Sequence, residues 1–338
     1  MVNWELYEDD NPYLWDDTLL LAKDYNIFQS YLWGEYKRCT NWVPTRYWAK
    51  GKNGDVIAMA QLLVKSLPFG IKILWVAGGP IFGFTKYGED KLENIISGLI
   101  LTIRDVYPRS LIRFNILTAH NPDSAYLVNK SCRRPLYKIN SGYSVVMNLD
   151  LSLEKLREQM TSKHRYYAKK SACNLLAWSV GNSDKHLSEL VSLHNEMTMD
   201  KHLSNITIKY EELKCLRDRL NKKVLVLTGY ADGRPVTSCL ILLFGGKSYY
   251  HVAATSRQGR AFSASYAMFE KLAQELKIKD AIQFDFGGID PESLNAAGVD
   301  HFKRGFNRKI FEYLGEWESA SSGFLRLGVN LAIKLKGI

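Results

Sequence analysis

Two stretches of this chain repeat one order of hydrophobic and polar segments. In the first half, Gly54-Asp55 turns into an apolar run over 56–64, a second run follows over 71–76, a helical spacing covers 91–106, and another apolar run covers 111–116. In the second half, Asp232-Gly233 turns into 236–244, followed by 248–253, a helical spacing across 265–276 and a run over 281–286. Short apolar runs bounded by Gly and Asp read as strands, and the longer spaced segments read as helices. Each half is therefore a hairpin, a helix and a crossover strand, which predicts a duplicated α/β fold with mixed sheets flanked by helices.

The halves meet near Asn148-Leu149-Asp150-Leu151-Ser152, where Ser152 is placed to cap a helix starting at Leu153. The segment from Gly323 to Lys336 spaces Phe324, Leu327, Leu331 and Leu335 among cations, as in a basic amphipathic helix. Docking of that helix on its own protein is expected, with contact to a membrane surface as the alternative.

Composition narrows the class. The chain has 338 residues, long enough for two domains, and its 46% hydrophobic content suffices for packed cores. Five cysteines, Cys39, Cys132, Cys173, Cys215 and Cys239, lack a CxxC pair or metal-ligand spacing, and their odd count argues against a disulfide framework. His194, His202 and His251 have no carboxylate or Cys partners at ligand spacing, so no metal site is expected. The acidic start, Met1-Val2-Asn3-Trp4-Glu5, and the absence of a bilayer-length apolar run predict a soluble cytoplasmic protein. A net charge of +10 favours a polyanionic partner. The segment 162–170, Ser-Lys-His-Arg-Tyr-Tyr-Ala-Lys-Lys, interleaves cations and aromatics on a helix, as a surface touching phosphates and bases would; a solvated helix face is the plainer reading.

The stretch with the strongest look of a site is Asp285-Phe286-Gly287-Gly288-Ile289-Asp290, followed by Phe302-Lys303-Arg304-Gly305-Phe306. Paired glycines at a strand end allow close backbone approach to a ligand. A Lys at the following turn can steady a developing negative charge, with Phe302 and Phe306 walling it from water. A Lys on a solvated loop between two core aromatics would give the same spacing. Asp285 and Asp290 are acid–base candidates, although either can instead cap a turn or pair with Arg304.

Three segments, Phe28-Gln29-Ser30-Tyr31-Leu32-Trp33-Gly34-Glu35-Tyr36-Lys37, Ala60-Gln61 through Leu67-Pro68-Phe69-Gly70 to Gly78-Gly79-Pro80, and 285–306, together with the helix around Arg165, span nearly the whole chain. In that order they resemble the Fem family, peptidoglycan bridge-forming aminoacyl-tRNA transferases with tandem GNAT (acyl-CoA N-acyltransferase-like) domains. The resemblance implies a first domain of residues 1–147 plus the returning segment 317–338, and a second of 148–316. It implies transfer of an amino acid from aminoacyl-tRNA to an amine, typically the Lys side chain of a muramyl-pentapeptide precursor that is UDP-linked or lipid-linked. No further cofactor is implied, and the place of work is the cytoplasm or the inner face of the membrane.

The resemblance also assigns residues. Lys303 falls on the family's Lys near the reacting ester, with Phe302 beside it. Lys37 falls on the Lys of the Gln-Ser-x-x-Trp-Gly motif, implied to hold precursor phosphates, and Trp33 would brace its helix. Lys201 stands where relatives often carry Arg, which keeps the charge but loses the bidentate fork, ahead of the segment leading to Tyr210. Tyr250 is a candidate for hydrogen bonding to substrate or an ordinary half-buried strand tyrosine. Asn115 stands where relatives commonly have an acidic residue and cannot accept a proton at neutral pH, so no protein general base is assigned. Arg165, Lys169, Arg257, Arg260 and Arg304 are candidate contacts to tRNA.

Two other functions fit the same pattern. A coenzyme A-dependent acyltransferase would bind pyrophosphate on an Arg/Gln-x-x-Gly-x-Gly/Ala turn; here the segment is Ser256-Arg257-Gln258-Gly259-Arg260-Ala261, with Ser at its first position, which favours the tRNA donor. A non-catalytic protein holding RNA or a polymer on its basic surface is the third reading.

Overall fold

A computed structural model describes residues 2–84, 91–174, 176–200, 207–291 and 297–336. In chain order the elements are β1 (Trp4–Leu6), α1 (Pro12–Leu20), α2 (Tyr31–Arg38), β2 (Val43–Lys50), β3 (Val56–Ser66), β4 (Lys72–Ala77), α3 (Leu92–Val106), β5 (Ser110–Ala119) and α4 (Pro122–Ser131). Next come β6 (Tyr143–Asn148), α5 (Leu153–Gln159), α6 (Ser162–Ala172), β7 (Ala177–Gly181), α7 (Asp184–Asp200), α8 (Tyr210–Leu220), β8 (Val224–Ala231), β9 (Arg234–Phe244) and β10 (Lys247–Thr255). The chain ends with α9 (Arg257–Ala261), α10 (Ala264–Ile278), β11 (Gln283–Ile289), α11 (Ala297–Arg304), β12 (Ile310–Ala320) and α12 (Gly323–Lys336). It divides into two units, Met1–Tyr143 with Glu312–Ile338, and Ser144–Phe311. The units part after Tyr143 and rejoin at Glu312, within β6 and β12, a few residues from the bounds 147 and 317 that the resemblance implies.

In the first unit the strand order is β1-β2-β3-β4-β5-β12. β4 and β5 run parallel, as a helix crossover demands, and the other pairs are antiparallel. β3 is apolar on both faces over most of its length because α3 covers one side and other elements the other. α3 buries Leu92, Ile95, Ile96, Leu99 and Ile103, the three-and-four spacing that marks its core face. α12 is tied to this unit by a buried polar cluster. Arg113 Nη2 donates to Glu318 Oε2 (2.8 Å) and Asn330 Oδ1 (2.9 Å), and Asn330 Nδ2 donates back to Glu318. Burial raises the Glu316 carboxyl, opposed by hydrogen bonds from Ile139 and Asn140 and by Arg113.

The second unit repeats the plan with order β6-β11-β10-β9-β8-β7, in which β10 and β11 are parallel across the α10 crossover. α10 buries Met268, Phe269, Leu272, Ala273 and Leu276. Ser152 caps α5 by accepting from the Lys155 amide (3.2 Å). Cys132, Cys173 and Cys239 are free thiols, but Cys39 and Cys215 are disulfide-bonded, so the odd cysteine count, which argued against a disulfide framework, did not exclude disulfide bonding at those two.

Candidate active site

The glycine pair at the end of β11 lies where the sequence places it. Gly287 has φ +75°, a conformation that costs a side-chain-bearing residue, and a Cβ there would come within 3.3 Å of the Tyr250 carbonyl and 3.8 Å of Lys303 Nζ. Lys303 Nζ donates to the Gly288 carbonyl (2.8 Å). Burial pulls the Lys303 ammonium below its ordinary value of 10.5, partly opposed by the carboxylates of Asp285 and Asp300. Asp285 is buried and accepts from Ser144 Oγ and from the Gly287 amide (2.8 Å), while Asp300 accepts from the Asp290 amide (2.7 Å). Both carboxylates therefore hold the backbone that carries Lys303's acceptor.

Lys303 sits near the end of α11 rather than on a turn, and the two aromatics flanking it divide their work. Phe302 is partly exposed, whereas Phe306 is fully buried among Phe269 (4.2 Å), His164 (5.0 Å) and Phe286 (5.2 Å). The expectation that both phenyl rings wall the site is thus corrected: Phe306 is the floor of a packed aromatic cluster. Tyr250 on β10 contacts Phe284 and Phe286, each at 6.1 Å, and burial pushes its hydroxyl well above 10.0.

Sequence reasoning missed the residue that sets Phe302 in place. His164 is fully buried on α6, and its Nε2 donates to the Phe302 carbonyl (2.9 Å) while its Nδ1 accepts from Thr161 Oγ1 (3.1 Å). A carbonyl oxygen only accepts, so Nε2 carries a proton, and in the neutral ring Nδ1 is then the acceptor. Burial lowers its basicity, with the Phe302 carbonyl opposing and His301 and Lys163 adding to the effect. The available signal was the period of α6: His164, Ala168 and Ser171 form its buried stripe, with Lys163, Arg165, Tyr166, Lys169 and Lys170 outside. Ser144, which binds both Asp285 and the Gly287 carbonyl (2.9 Å), left no comparable pattern in the sequence.

The candidate RNA contacts separate. Arg165 and Lys169 line a groove of about 340 Å³ with Arg157, Ala168, Ala172 and Glu270. Arg157 and Glu270 form a two-pronged pair (2.7 and 3.0 Å), and Arg165 Nη1 donates to the Met160 carbonyl (2.5 Å). Arg260 is tied to Asp200 (3.1 Å) and to the Thr255 carbonyl, while Arg257 and Arg304 are exposed. In the Ser256 turn the Gly259 amide donates to Ser256 Oγ (3.1 Å) and the Arg260 amide to the Ser256 carbonyl (2.9 Å). These amides are spent inside the turn, where a pyrophosphate site would present them outward.

Three assigned residues lie in the first unit or on its neighbouring motifs. Lys37 Nζ sits over the rings of Trp33 (4.8 Å) and Tyr36 (4.7 Å), and Trp33 packs edge-on against Phe28 (5.0 Å). The rest of that motif is structural: Gln29 Nε2 donates to the carbonyls of Ala77 (2.7 Å) and Gln61 (3.1 Å), and Gln61 Oε1 accepts from Arg46 Nε (2.8 Å). Gly34 is required because a Cβ would stand 2.2 Å from Gln61 Oε1. Asn115 lies on β5 opposite Ala77 and Glu316, with a buried Oδ1 that has no hydrogen-bond partner among the described residues. In the second unit, Tyr210 is bonded to Asp184 at the start of α8; burial raises its hydroxyl, and Asp184 adds to the effect. Lys201 lies outside the described residues. Among the described residues no group of three or more His, Cys, Asp or Glu side chains is placed to hold a metal ion.

The sequence model of the FemAB family matches residues 150–330, more than half of the chain. The chain belongs to the FemAB family. Among FemAB-like relatives, a UDP-N-acetylmuramoylpentapeptide-lysine N(6)-alanyltransferase from Weissella viridescens is 22% identical over 305 residues, 86% of this chain and 88% of the relative. The crystal structure of FemX superimposes with a TM-score of 0.82 at 15% identity, covering 98% of this chain and 100% of that one. A tandem GNAT protein from the clavulanic acid biosynthesis pathway gives 0.56 at 7% identity over 95% of this chain and 99% of its own. The FemAB fold of this chain is thus of the tandem GNAT type.

Proposed function

We propose that this protein joins an amino acid, delivered as its ester on tRNA, to an amine of a muramyl-peptide precursor of peptidoglycan, working in the cytoplasm or at the inner face of the membrane. FemAB membership and the activity named for the Weissella viridescens relative support this reading. The observation that carries it in the structure is Lys303, a partly desolvated ammonium anchored on the carbonyl of Gly288, an exposed glycine near the end of β11.

The reaction is ester aminolysis. The neutral amine nitrogen attacks the ester carbonyl carbon, the C–N bond forms, the bond to the ribose oxygen breaks, and the proton lost by the amine ends on that oxygen. Lys303 opposes the negative charge that builds on the carbonyl oxygen, or on the terminal nucleotide, and partial burial strengthens that effect. His164, bonded to the Phe302 carbonyl, fixes the backbone one residue before Lys303. Asn115 has no basic lone pair to offer, so proton transfer runs through the substrate, the leaving ribose or water. Lys37, Trp33 and, by the same reading, Lys201, Tyr210 and Tyr250 hold the acceptor; Arg165, Lys169, Arg257, Arg260 and Arg304 meet the tRNA by charge. No cofactor is needed beyond the charged tRNA.

A coenzyme A donor is the second reading, and the self-bonded Ser256 turn counts against it. The deciding experiment supplies a mixture of charged tRNAs, or acyl-coenzyme A thioesters, with muramyl-pentapeptide precursors and resolves products by mass. An aminoacyl increment that needs charged tRNA supports the proposal and names the amino acid. An increment from thioester alone overturns it, and binding without transfer points to the non-catalytic reading.

A further inference from the structure

One face of α12 is bonded into the first unit and another is bare. Asn330, fully buried, accepts from the Leu136 and Tyr137 amides (both 3.1 Å) and points the helix's polar side inward. Away from it stand Phe324 (91% exposed), Leu327 (58%), Leu331 (49%) and Leu335 (78%). Their spacing of three, four and four places all four within an arc of roughly 80° on the helix surface. Isolated exposed leucines are ordinary, but a row of four on one helix face marks a surface that meets something apolar.

The charge around the row decides what. The segment 323–336 contains no Asp or Glu, and neither does the loop 133–141 against which it is bonded. That loop carries Arg133, Arg134 and Lys138, with Leu136 also exposed, and α12 adds Arg326 and Lys334. Arg326 and Arg134 are engaged locally, on Glu318 (2.7 Å) and over Trp317 (3.7 Å), and Lys334 lies over Tyr137 (5.1 Å) with its side chain at the surface. Glu316 and Glu318 are buried and balance Arg113 and Arg326, so the net positive charge of this face rests on Arg133, Lys138 and Lys334. An apolar row on a helix rimmed by cations fits an anionic bilayer, into which the row enters at headgroup depth while the cations meet lipid phosphates. A second copy of the chain would set these cations against one another.

We propose that α12 and the 133–141 loop form a docking surface for an anionic lipid bilayer, with Phe324, Leu327, Leu331 and Leu335 as the inserted row. The inference goes beyond the transfer reaction and is read without it: vesicle binding needs neither tRNA nor acceptor, so failure of either experiment leaves the other standing. The test is co-sedimentation with vesicles of two parts phosphatidylcholine to one part phosphatidylglycerol, and with phosphatidylcholine alone, at low and high salt. Expected are binding to the mixed vesicles only, weakening with salt, and a loss of at least tenfold in partitioning for the Leu327→Ser/Leu331→Ser variant with an unchanged unfolding midpoint. Lys334→Gln and Lys138→Gln together should weaken binding and flatten its salt dependence. Absence of binding, equal binding to both vesicles, or a lipid-free dimer abolished by the same leucine substitutions would overturn the proposal.

Discussion

The imidazole of His164 occupies the space that a side chain on Gly305 would need: a Cβ at Gly305 would lie 1.9 to 2.2 Å from three ring atoms. The same ring holds the Phe302 carbonyl, one residue before Lys303, and the Gly305 carbonyl accepts from the Thr161 amide (2.9 Å). α6 is thereby locked to the end of α11. Gly305→Ala is expected to cost about 1–3 kcal/mol, as overpacking of a filled core does. His164→Ala should restore part of that loss by vacating the ring's volume, so a double-mutant cycle on unfolding free energies reads a favourable coupling. Additive losses would separate the two residues.

Lys303 gives a pH signature. Its ammonium is disfavoured by burial, so the folded chain releases that proton below 10.5 while the unfolded chain still holds it. Stability therefore rises with pH through the window between the lowered value and 10.5. Transfer moves the other way there, because the charged form is the one that opposes the oxyanion. Lys303→Met should reduce kcat about 10²–10³-fold with little change in the unfolding midpoint. Lys303→Arg, which keeps its charge, should lack the alkaline fall seen in the pH–rate profile of the natural protein. A methionine variant with unchanged turnover would remove Lys303 from the reaction.

How far the sequence carried depended on the kind of pattern involved. The hairpin, helix and crossover strand of each half are written in apolar periodicity, so β3, β4, α3 and β5, and again β9, β10, α10 and β11, follow from it within a few residues. Lys303 was singled out by the resemblance rather than by spacing, since glycine pairs and Lys-Arg pairs are common at strand ends; the structure sets its ammonium 2.8 Å from the Gly288 carbonyl. His164 was missed, since a histidine inside a basic, aromatic segment reads as part of the charged face and only its helical spacing with Ala168 and Ser171 marks it as inward-facing. Phe306 was misplaced for a related reason: an aromatic two residues past a helix end can face solvent or core, and only contacts with Phe286 and Phe269 decide. The Gln29, Gln61 and Gly34 positions were visible as a motif, but their spacing could not reveal that they secure Arg46.

That buried arginine supplies a stability test in the first unit. Arg46 is bonded through Nε to Gln61 Oε1 and through Nη2 to the Tyr31 carbonyl (2.9 Å) and Glu35 Oε1 (2.9 Å). Gln61→Leu keeps the volume but leaves the guanidinium and the Ser30 carbonyl, which accepts from Gln61 Nε2 (2.8 Å), each short of a partner. The expected cost is about 2–4 kcal/mol, measured by denaturant unfolding. Lys37 stands on the same helix, so reduced transfer in this variant should track the loss of folded protein.

His164 also makes an acid-side prediction. Its folded form binds a proton less readily than the ordinary 6.5, as does that of His194, which is likewise lowered by burial. Below 6.5 the unfolded chain takes up protons that the folded chain refuses, so stability is lost as pH falls through this region. His164→Asn, able to donate to the Phe302 carbonyl, should show a shallower loss between about pH 8 and about pH 5, the remaining slope combining His194 with the opposite contribution of the raised Glu316 carboxyl. An identical slope in the variant would place the His164 proton elsewhere.

Lys37 separates binding from chemistry. Its ammonium lies over the Trp33 and Tyr36 rings, contacts worth about 0.5–1 kcal/mol each at a partly exposed position, so Lys37→Ala should lower stability only slightly. If those rings hold the ammonium ready for the acceptor's phosphates, the variant should raise KM for a UDP-linked precursor about tenfold and leave kcat nearly unchanged, since the interaction is the same in ground and transition states. The salt dependence of KM should flatten as one phosphate-facing charge is removed. Lys37→Arg keeps charge and stacking and should restore most of the affinity. A fall in kcat with KM unchanged would instead move Lys37 from acceptor binding to the reacting centre.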